Sequence, residues 1–352
     1  MNPEENNFKF VSITDKTSYD EYIETIDFPP LVQSWSYGDW QKQMNRTVNR
    51  YQLRDENKIL ASCQIIICPL PYHQKYLYIP HGPIIKEPLS LNQEIFLLSE
   101  IEKIGKKEKV MFIRIDPWPQ NIDFLKHKQW QKAPLESYRS SYFQPRFEWV
   151  LDLKQSPDEL LSQMRPHNRY YIKQAEHKGI IVEKILGKEI FNYLDVFYKL
   201  MLETSERGKF SLHPYLYYES LFKNEANLDL ELFITKYENE ILAINVVFYF
   251  GNVANWVFGA SSDKYRQLNP TYLAQWQSIL TAQEKKCTSY SFGGVYNSDY
   301  PHIYKDYSKV TDYKKRYGGK YLNYSESYIL TIDKMATFFY HGRKKIKSFL
   351  HS

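Results

Sequence analysis

Hydrophobic positions along this chain recur with two periods, one of strands and one of helices. Gln64-Ile65-Ile66-Ile67, a turn over Pro69 to Tyr72, and Tyr76-Leu77-Tyr78-Ile79 read as a hairpin of half-buried strands. So do Val246-Val247-Phe248-Tyr249-Phe250, Gly251-Asn252 and Trp256-Val257-Phe258. Both hairpins open on nearly the same six residues: Glu56-Asn57-Lys58-Ile59-Leu60-Ala61 returns 182 positions later as Glu238-Asn239-Glu240-Ile241-Leu242-Ala243. A duplicated unit explains this; the alternative is coincidence, because acidic-Asn turns before aliphatic strands are common. Asn92 to Lys103 carries Ile95, Leu98 and Ile101 at helical spacing, and Val110 to Ile115 reads as a strand ending at Asp116-Pro117. Helices layered beside mixed sheets, an α/β (α+β) class, are therefore expected.

Ser156-Pro157-Asp158-Glu159 places a capping Ser, a Pro at the first helical position and a Glu at the third, so a helix starts there. A domain boundary is expected just before it. Pro166 forces Arg165 out of helical geometry, and a second helix runs from about His167 to His177, closed by Gly179. On it Arg169 and Lys173 share a face at a small like-charge cost that a phosphate would offset. A solvated face balanced by Glu176 is the other reading. Lys314-Lys315-Arg316 precedes Tyr317-Gly318-Gly319 on a short helix that Thr311 could cap. The helix dipole alone favours cations in such a last turn, so spacing does not by itself make them catalytic.

Composition narrows the class. At 352 residues, 43% hydrophobic and 25% charged, the chain can bury two ordinary cores and has no disordered bulk. Met1 to Asn7 holds no apolar signal core, and nowhere do about 18 apolar residues run uninterrupted, so a soluble cytoplasmic protein is expected. Cys63, Cys68 and Cys287 give neither a disulfide framework nor a zinc spacing, and no metal is expected. A net charge of +5 permits an anionic partner without demanding one. Arg343-Lys344-Lys345-Ile346-Lys347-Ser348-Phe349-Leu350 is a short basic amphipathic end that suits an anionic membrane surface or, equally, a solvated terminal helix.

Three segments carry a family resemblance: Asn269-Pro270-Thr271-Tyr272-Leu273-Ala274-Gln275-Trp276, Tyr290-Ser291-Phe292-Gly293-Gly294-Val295, and Asp312-Tyr313-Lys314-Lys315-Arg316-Tyr317-Gly318-Gly319. In order and spacing they resemble the FemABX family of aminoacyl-tRNA-dependent peptidyltransferases. Earlier segments agree, namely Gln33-Ser34 through Gly38-Asp39-Trp40, Tyr78-Ile79-Pro80-His81-Gly82-Pro83, Arg114-Ile115-Asp116-Pro117, and Met201-Leu202-Glu203-Thr204 through Tyr217-Tyr218-Glu219. The resemblance covers roughly residues 30 to 330. It implies two tandem domains of the GNAT acyltransferase type, residues 1–148 completed by 317–352, and 149–316. No charged coiled-coil arm interrupts the second, so the chain looks like the compact, FemX-like form.

The resemblance further implies transfer of an amino acid from aminoacyl-tRNA, as co-substrate and without other cofactor, to an amine of a peptidoglycan stem peptide carried by lipid II or UDP-MurNAc-pentapeptide. Such attack on an ester generates an oxyanion, which a nearby cation stabilises. Lys314, after the aromatic Tyr313, matches the family's basic residue. The attacking ammonium must also lose a proton, and Asp116 is the candidate base, with a turn-capping role as its alternative. The FemX-like form reads a nucleotide diphosphate with a basic residue followed four positions on by Tyr, which His213 and Tyr217 match on an expected helix. His is a weaker diphosphate partner than Arg, which shifts weight toward lipid II or another amine acceptor; a helix cap at His213-Pro214 is the other reading. Arg46 stands where members often carry Lys, and Ser291 where Asp is common. Arg169, Lys173, Lys315 and Arg316 would supply phosphate contacts to tRNA. Two other classes remain: an acetyl-CoA acyltransferase, disfavoured because no Gly-rich segment opens a helix to cradle a pyrophosphate, and a non-catalytic tRNA-binding protein.

Overall fold

The computed structural model describes residues 8–118, 122–133, 144–301 and 307–340. They form two compact units, one of Met1–Ile26, Val32–Pro134 and Tyr324–Ser352, the other of Asp27–Leu31 and Leu135–Asn323.

In the first unit the chain runs through β1 (Phe8–Ser12), α1 (Lys16–Glu24), α2 (Trp35–Gln43), β2 (Thr47–Asp55), β3 (Lys58–Pro69), β4 (Lys75–Ile79), β5 (Ile84–Ile85), α3 (Leu91–Lys107), β6 (Phe112–Ile115) and β7 (Gln131–Lys132). The second follows with β8 (Phe147–Asp152), α4 (Pro157–Gln163), α5 (Pro166–His177), β9 (Ile181–Leu186), α6 (Leu194–Gly208), α7 (Tyr215–Lys223), β10 (Asp229–Tyr237), β11 (Glu240–Phe250), β12 (Val253–Ser261), α8 (Pro270–Glu284), β13 (Ser289–Gly294), α9 (Ser308–Lys315) and β14 (Lys320–Asn323). The chain then returns to the first unit as β15 (Tyr328–Thr331).

The sheets have matching orders. One reads β1-β2-β3-β4-β6-β15-β7, with β5 beside β3; the other, taken from its far edge, reads β9-β10-β11-β12-β13-β8-β14. In each, three antiparallel pairings are followed by a helix, α3 or α8, and then by a strand parallel to its neighbour, β4 with β6 and β12 with β13. The repeated hexapeptide occupies the same place in both. Glu56 and Glu238 take positive φ, 50° and 54°, at the two hairpin turns. Two residues past the strand start the register slips in the same way: Arg54 faces Ile59 and Leu53 faces Ala61, while Lys236 faces Ile241 and Thr235 faces Ala243. A shared turn and a shared bulge are the structural content of the repeat. The sequence division gave 317–352 to the first domain, whereas β14 pairs with β8 in the second sheet.

Local signals hold where they rest on caps. Ser156 and Glu159 close a full capping box with Pro157 at the first helical position, and Arg165 is extended at ψ 142° before Pro166. On α3 the buried stripe is Leu97, Leu98 and Ile101, while Ile95, half exposed, lies a helical step off it. The Gln33 to Trp40 segment is architectural. Gln33 donates to the Pro80 carbonyl at 2.6 Å and accepts from Gln64 N at 2.8 Å, and Arg50, almost wholly buried, bonds Gln64 at 2.9 Å, the Trp35 carbonyl at 2.7 Å and Asp39 at 3.1 Å. A β-carbon on Gly38 would stand 1.9 Å from Gln64 Oε1, so the backbone of α2 approaches that network as closely as glycine allows.

Candidate functional site

β12 and β13 pair in parallel over Val253–Ser289, Ala254–Tyr290 and Asn255–Ser291 and then part. Lys314, from the last turn of α9, reaches in beside that parting. Its Nζ donates to the Gly294 carbonyl at 2.6 Å and lies 5.6 Å from the centre of the Trp256 ring. The side chain is 6% exposed. Burial pushes its ammonium from 10.5 down to about 7, against an opposing pull from the Glu148 carboxylate on β8. Ser291, where the resembled family commonly has Asp, holds that carboxylate: its Oγ donates to Glu148 Oε2 at 2.7 Å and accepts from Gly293 N at 3.0 Å. Among the described residues the buried indole N–H of Trp256 has no acceptor. A half-charged ammonium and an unspent N–H on neighbouring elements suit an oxygen that gains negative charge. Glu148 and Trp256 were missed in the sequence, where each is an ordinary strand residue.

The neighbours of Lys314 are committed elsewhere. Tyr313 is half-buried between Trp256 and Tyr272, its hydroxyl 3.3 Å from the Thr271 carbonyl and 3.1 Å from Tyr317 Oη. Lys315 donates to Tyr321 Oη and lies 5.2 Å from the Trp149 ring centre. Arg316 is fixed by Asp312 and by Tyr272 Oη at 3.0 Å. Thr311 lies inside α9 and does not cap it; it is buried and accepts from Tyr296 N at 2.7 Å, while Tyr307 stands at the cap position and its side chain makes no capping bond. Gly318 and Gly319 turn the chain at φ 84° and 94°, and a β-carbon on Gly319 would meet the Val150 carbonyl at 2.5 Å. Only glycine serves there.

Arg169 and Lys173 differ in role. Arg169 donates to the carbonyls of Ser162 at 3.1 Å and Met164 at 2.6 Å, satisfying the C-terminal end of α4, whereas Lys173 is exposed. With Asp158, Glu176, Ile172 and Trp276 they line a cavity of about 300 Å³. His213 precedes α7 and is not on it: Pro214 is the cap, and the imidazole stacks on Tyr217 at 4.0 Å between ring centres. Tyr217 in turn meets Phe258 of β12 edge-on at 6.3 Å, two residues along the strand from Trp256. The His213–Tyr217 pair and Lys314 thus rest on neighbouring positions of one strand.

Asp116 and Arg46 belong to the first unit. Asp116 is buried at the end of β6, with Oδ1 taken by Arg114 Nε at 2.9 Å and Oδ2 by the Tyr78 hydroxyl. Arg114 also donates to Ser327 Oγ at 2.9 Å, just before β15. Arg46 follows α2 and donates to Gln41 Oε1. His81, in the same unit, was quoted only within a motif. Its ring lies 3.9 Å from Tyr324 and 5.9 Å from Trp118, centre to centre, and among the described residues neither nitrogen has a hydrogen-bond partner. Burial lowers its imidazolium from 6.5 to about 4, with Asp116 opposing. A value depressed on folding adds stability above 6.5 that is lost as pH falls toward about 4. Urea unfolding of the wild type is therefore expected to lose ~1–3 kcal/mol between neutral pH and pH near 4 through this group. His81→Asn, which tolerates the φ of 43°, should flatten that difference; an unchanged pH dependence would remove His81 as its source.

The profile of the FemAB family matches residues 14–141, 121–228 and 223–345. The chain belongs to the FemAB family. Aminoacyltransferase FemA of Staphylococcus epidermidis is 22% identical over 96% of this chain and all of that protein, and a lipid II:glycine glycyltransferase of Staphylococcus aureus is 23% identical over 79% of this chain and 83% of that one. Among solved structures, FemX superposes with a TM-score of 0.81 at 18% identity, covering 94% of this chain and 99% of the other. A tandem GNAT protein from clavulanic acid biosynthesis superposes at 0.53 and 10% identity, covering 92% and 98%. This FemAB member is thus a transferase on a duplicated, GNAT-like α/β fold. The basic C-terminal run from Arg343 lies outside the described residues. Among the described residues no group of three His, Cys, Asp or Glu could hold a metal ion, and no helix is long and apolar enough to cross a membrane.

Proposed function

We propose that this FemAB protein moves an amino acid from aminoacyl-tRNA to an amine of a peptidoglycan precursor, with lipid II favoured over UDP-MurNAc-pentapeptide as acceptor. The observation that carries the reading is the Lys314 ammonium beside the parting of β12 and β13, with one proton on the Gly294 carbonyl and the Trp256 N–H unspent. The acceptor amine, once neutral, attacks the ester carbonyl of the charged tRNA. A C–N bond forms, the carbonyl oxygen becomes an oxyanion stabilised by Lys314, and collapse breaks the ester C–O bond. The amine's proton passes to the departing ribose oxygen. Asp116, whose carboxylate is held by the Arg114 guanidinium and the Tyr78 hydroxyl, is read as a structural anion in place of a base. His213, stacked and without guanidinium geometry, and the relative named for lipid II support the lipid-linked acceptor. Reaction then takes place in the cytoplasm, at the inner face of the membrane.

The test is mass spectrometry of lipid II and of UDP-MurNAc-pentapeptide after incubation with the protein and a mixed pool of charged tRNAs. A gain on lipid II alone is expected, and its size names the amino acid. A gain on the UDP-linked precursor alone would reverse the choice of acceptor, and none on either would leave another amine or lipid acceptor or a non-catalytic tRNA-binding role.

Binding to tRNA should weaken steeply with salt. Because Lys173 is exposed and Arg169 is spent on α4, Lys173→Ala is expected to reduce the slope of log affinity against log salt by about 0.7–0.9, the loss of one phosphate contact. Arg169→Ala should leave that slope unchanged and cost ~1 kcal/mol of stability. Filter binding across a salt series, with thermal unfolding of each variant, separates the two; equal slopes for wild type and Lys173→Ala would take Lys173 out of the tRNA contact.

A further inference from the structure

The last described stretch of chain, residues 334–340, is helical and tied down on one side. Asp333 Oδ1 accepts from Ala336 N at 2.9 Å, Thr337 Oγ1 donates to the Met111 carbonyl at 3.1 Å, and the Tyr340 ring lies 6.1 Å from that of Phe112. The other side is bare. Met335, Phe338 and Phe339 are 71%, 75% and 55% exposed, the largest cluster of exposed apolar side chains in so short a stretch among the described residues. At about 100° per residue these three share one face, opposite Thr337 and Tyr340.

The same apolar spacing recurs in the sequence eleven positions on, as Ile346, Phe349 and Leu350. Residues 334–352 also contain Lys334, Arg343, Lys344, Lys345 and Lys347 and no Asp or Glu. An apolar face in a stretch of sequence whose charged residues are all cations fits a surface that is greasy beneath and negative on top. A second copy of the same segment would bring like charges together. We propose that the helical stretch 334–340 is a docking surface for an anionic lipid bilayer, seated through Met335, Phe338 and Phe339. The proposal deepens the reading of a lipid-linked acceptor, since it holds the protein where such an acceptor resides, but it is measured by binding alone.

The experiment is co-sedimentation of the full-length protein with phosphatidylglycerol-containing vesicles and with pure phosphatidylcholine vesicles, at low and high salt. Binding is expected to the anionic vesicles, at least about tenfold weaker to the neutral ones, and to fall with salt. Phe338→Ser/Phe339→Ser should keep the wild-type melting temperature and lose most of the binding. Turnover on detergent-dispersed lipid II should be the same in both proteins, so absent turnover with intact vesicle binding would sink the proposed activity and leave the docking surface standing. No wild-type binding to anionic vesicles, or full binding by the double variant, would overturn the docking surface. A wild-type dimer that dissociates in the double variant would reassign the face to a second copy, and a loss confined to tRNA affinity would reassign it to nucleic acid.

Discussion

Lys314→Met is expected to lower kcat by about 10²–10³-fold, with KM little changed, and at the same time to raise the unfolding temperature. Both follow from one burial. An ammonium 6% exposed with one hydrogen-bond partner is poorly solvated, which depresses its value from 10.5 to about 7. A group whose folded value lies below its unfolded one binds its proton less tightly when folded. Its stability contribution is complete above 10.5 and is lost as pH falls to about 7, so at neutral pH Lys314 destabilises the fold. The gap sets an upper limit of about 5 kcal/mol; relaxation and the Gly294 carbonyl left without its donor reduce the net gain on substitution to ~2 kcal/mol, or ~4–8 °C. The gain should shrink as pH approaches 10.5. For catalysis the sign is opposite: the charged form stabilises the oxyanion, so kcat/KM of the wild type should fall as pH rises through about 7. Calorimetry and steady-state kinetics on the one variant check both halves. A variant that melts lower and turns over normally would remove Lys314 from the mechanism.

How far the sequence could lead depends on whether a residue's role is set nearby in the chain. The hexapeptide at Glu56 and Glu238 was legible because a turn and a bulge are local, and the two copies share both. The capping box at Ser156 was legible for the same reason. Lys314 came from family resemblance, since the helix dipole accounts for its spacing equally well. Glu148 and Trp256 were invisible, because nothing in either strand announces that β8, β12 and α9 converge. Arg169 misled for a physical reason. A helix-face reading lets every cation point to water, but the last carbonyls of α4 needed donors and this guanidinium was within reach. His213 misled similarly: a residue before a proline reads as part of the coming helix or its cap, yet it lies outside and stacks on Tyr217.

The second large effect is expected at Asp116, and it concerns stability more than rate. Arg114 on β6 and Asp116, just past its end, are two apart and pair on the same side with side chains that are 9% and 6% exposed. Tyr78 takes the remaining carboxylate oxygen, and Ser327 the other end of the guanidinium, so the pair links β4, β6 and the chain returning toward β15. Asp116→Ala takes a carboxylate away from a buried guanidinium, a loss of ~3–5 kcal/mol. Asp116→Asn keeps an acceptor oxygen and the shape but not the charge, and should fall between wild type and Ala. In both, kcat per folded molecule should stay within about tenfold of wild type, because the carboxylate is buried and already engaged by the Arg114 guanidinium and the Tyr78 hydroxyl, which hold it as a structural anion. Thermal unfolding and active-site-corrected turnover of the two variants decide the matter. If Asp116→Asn melts like the wild type and loses turnover by about 10²–10⁴-fold, Asp116 is the general base, and the proton path assigned to the departing ribose oxygen is wrong.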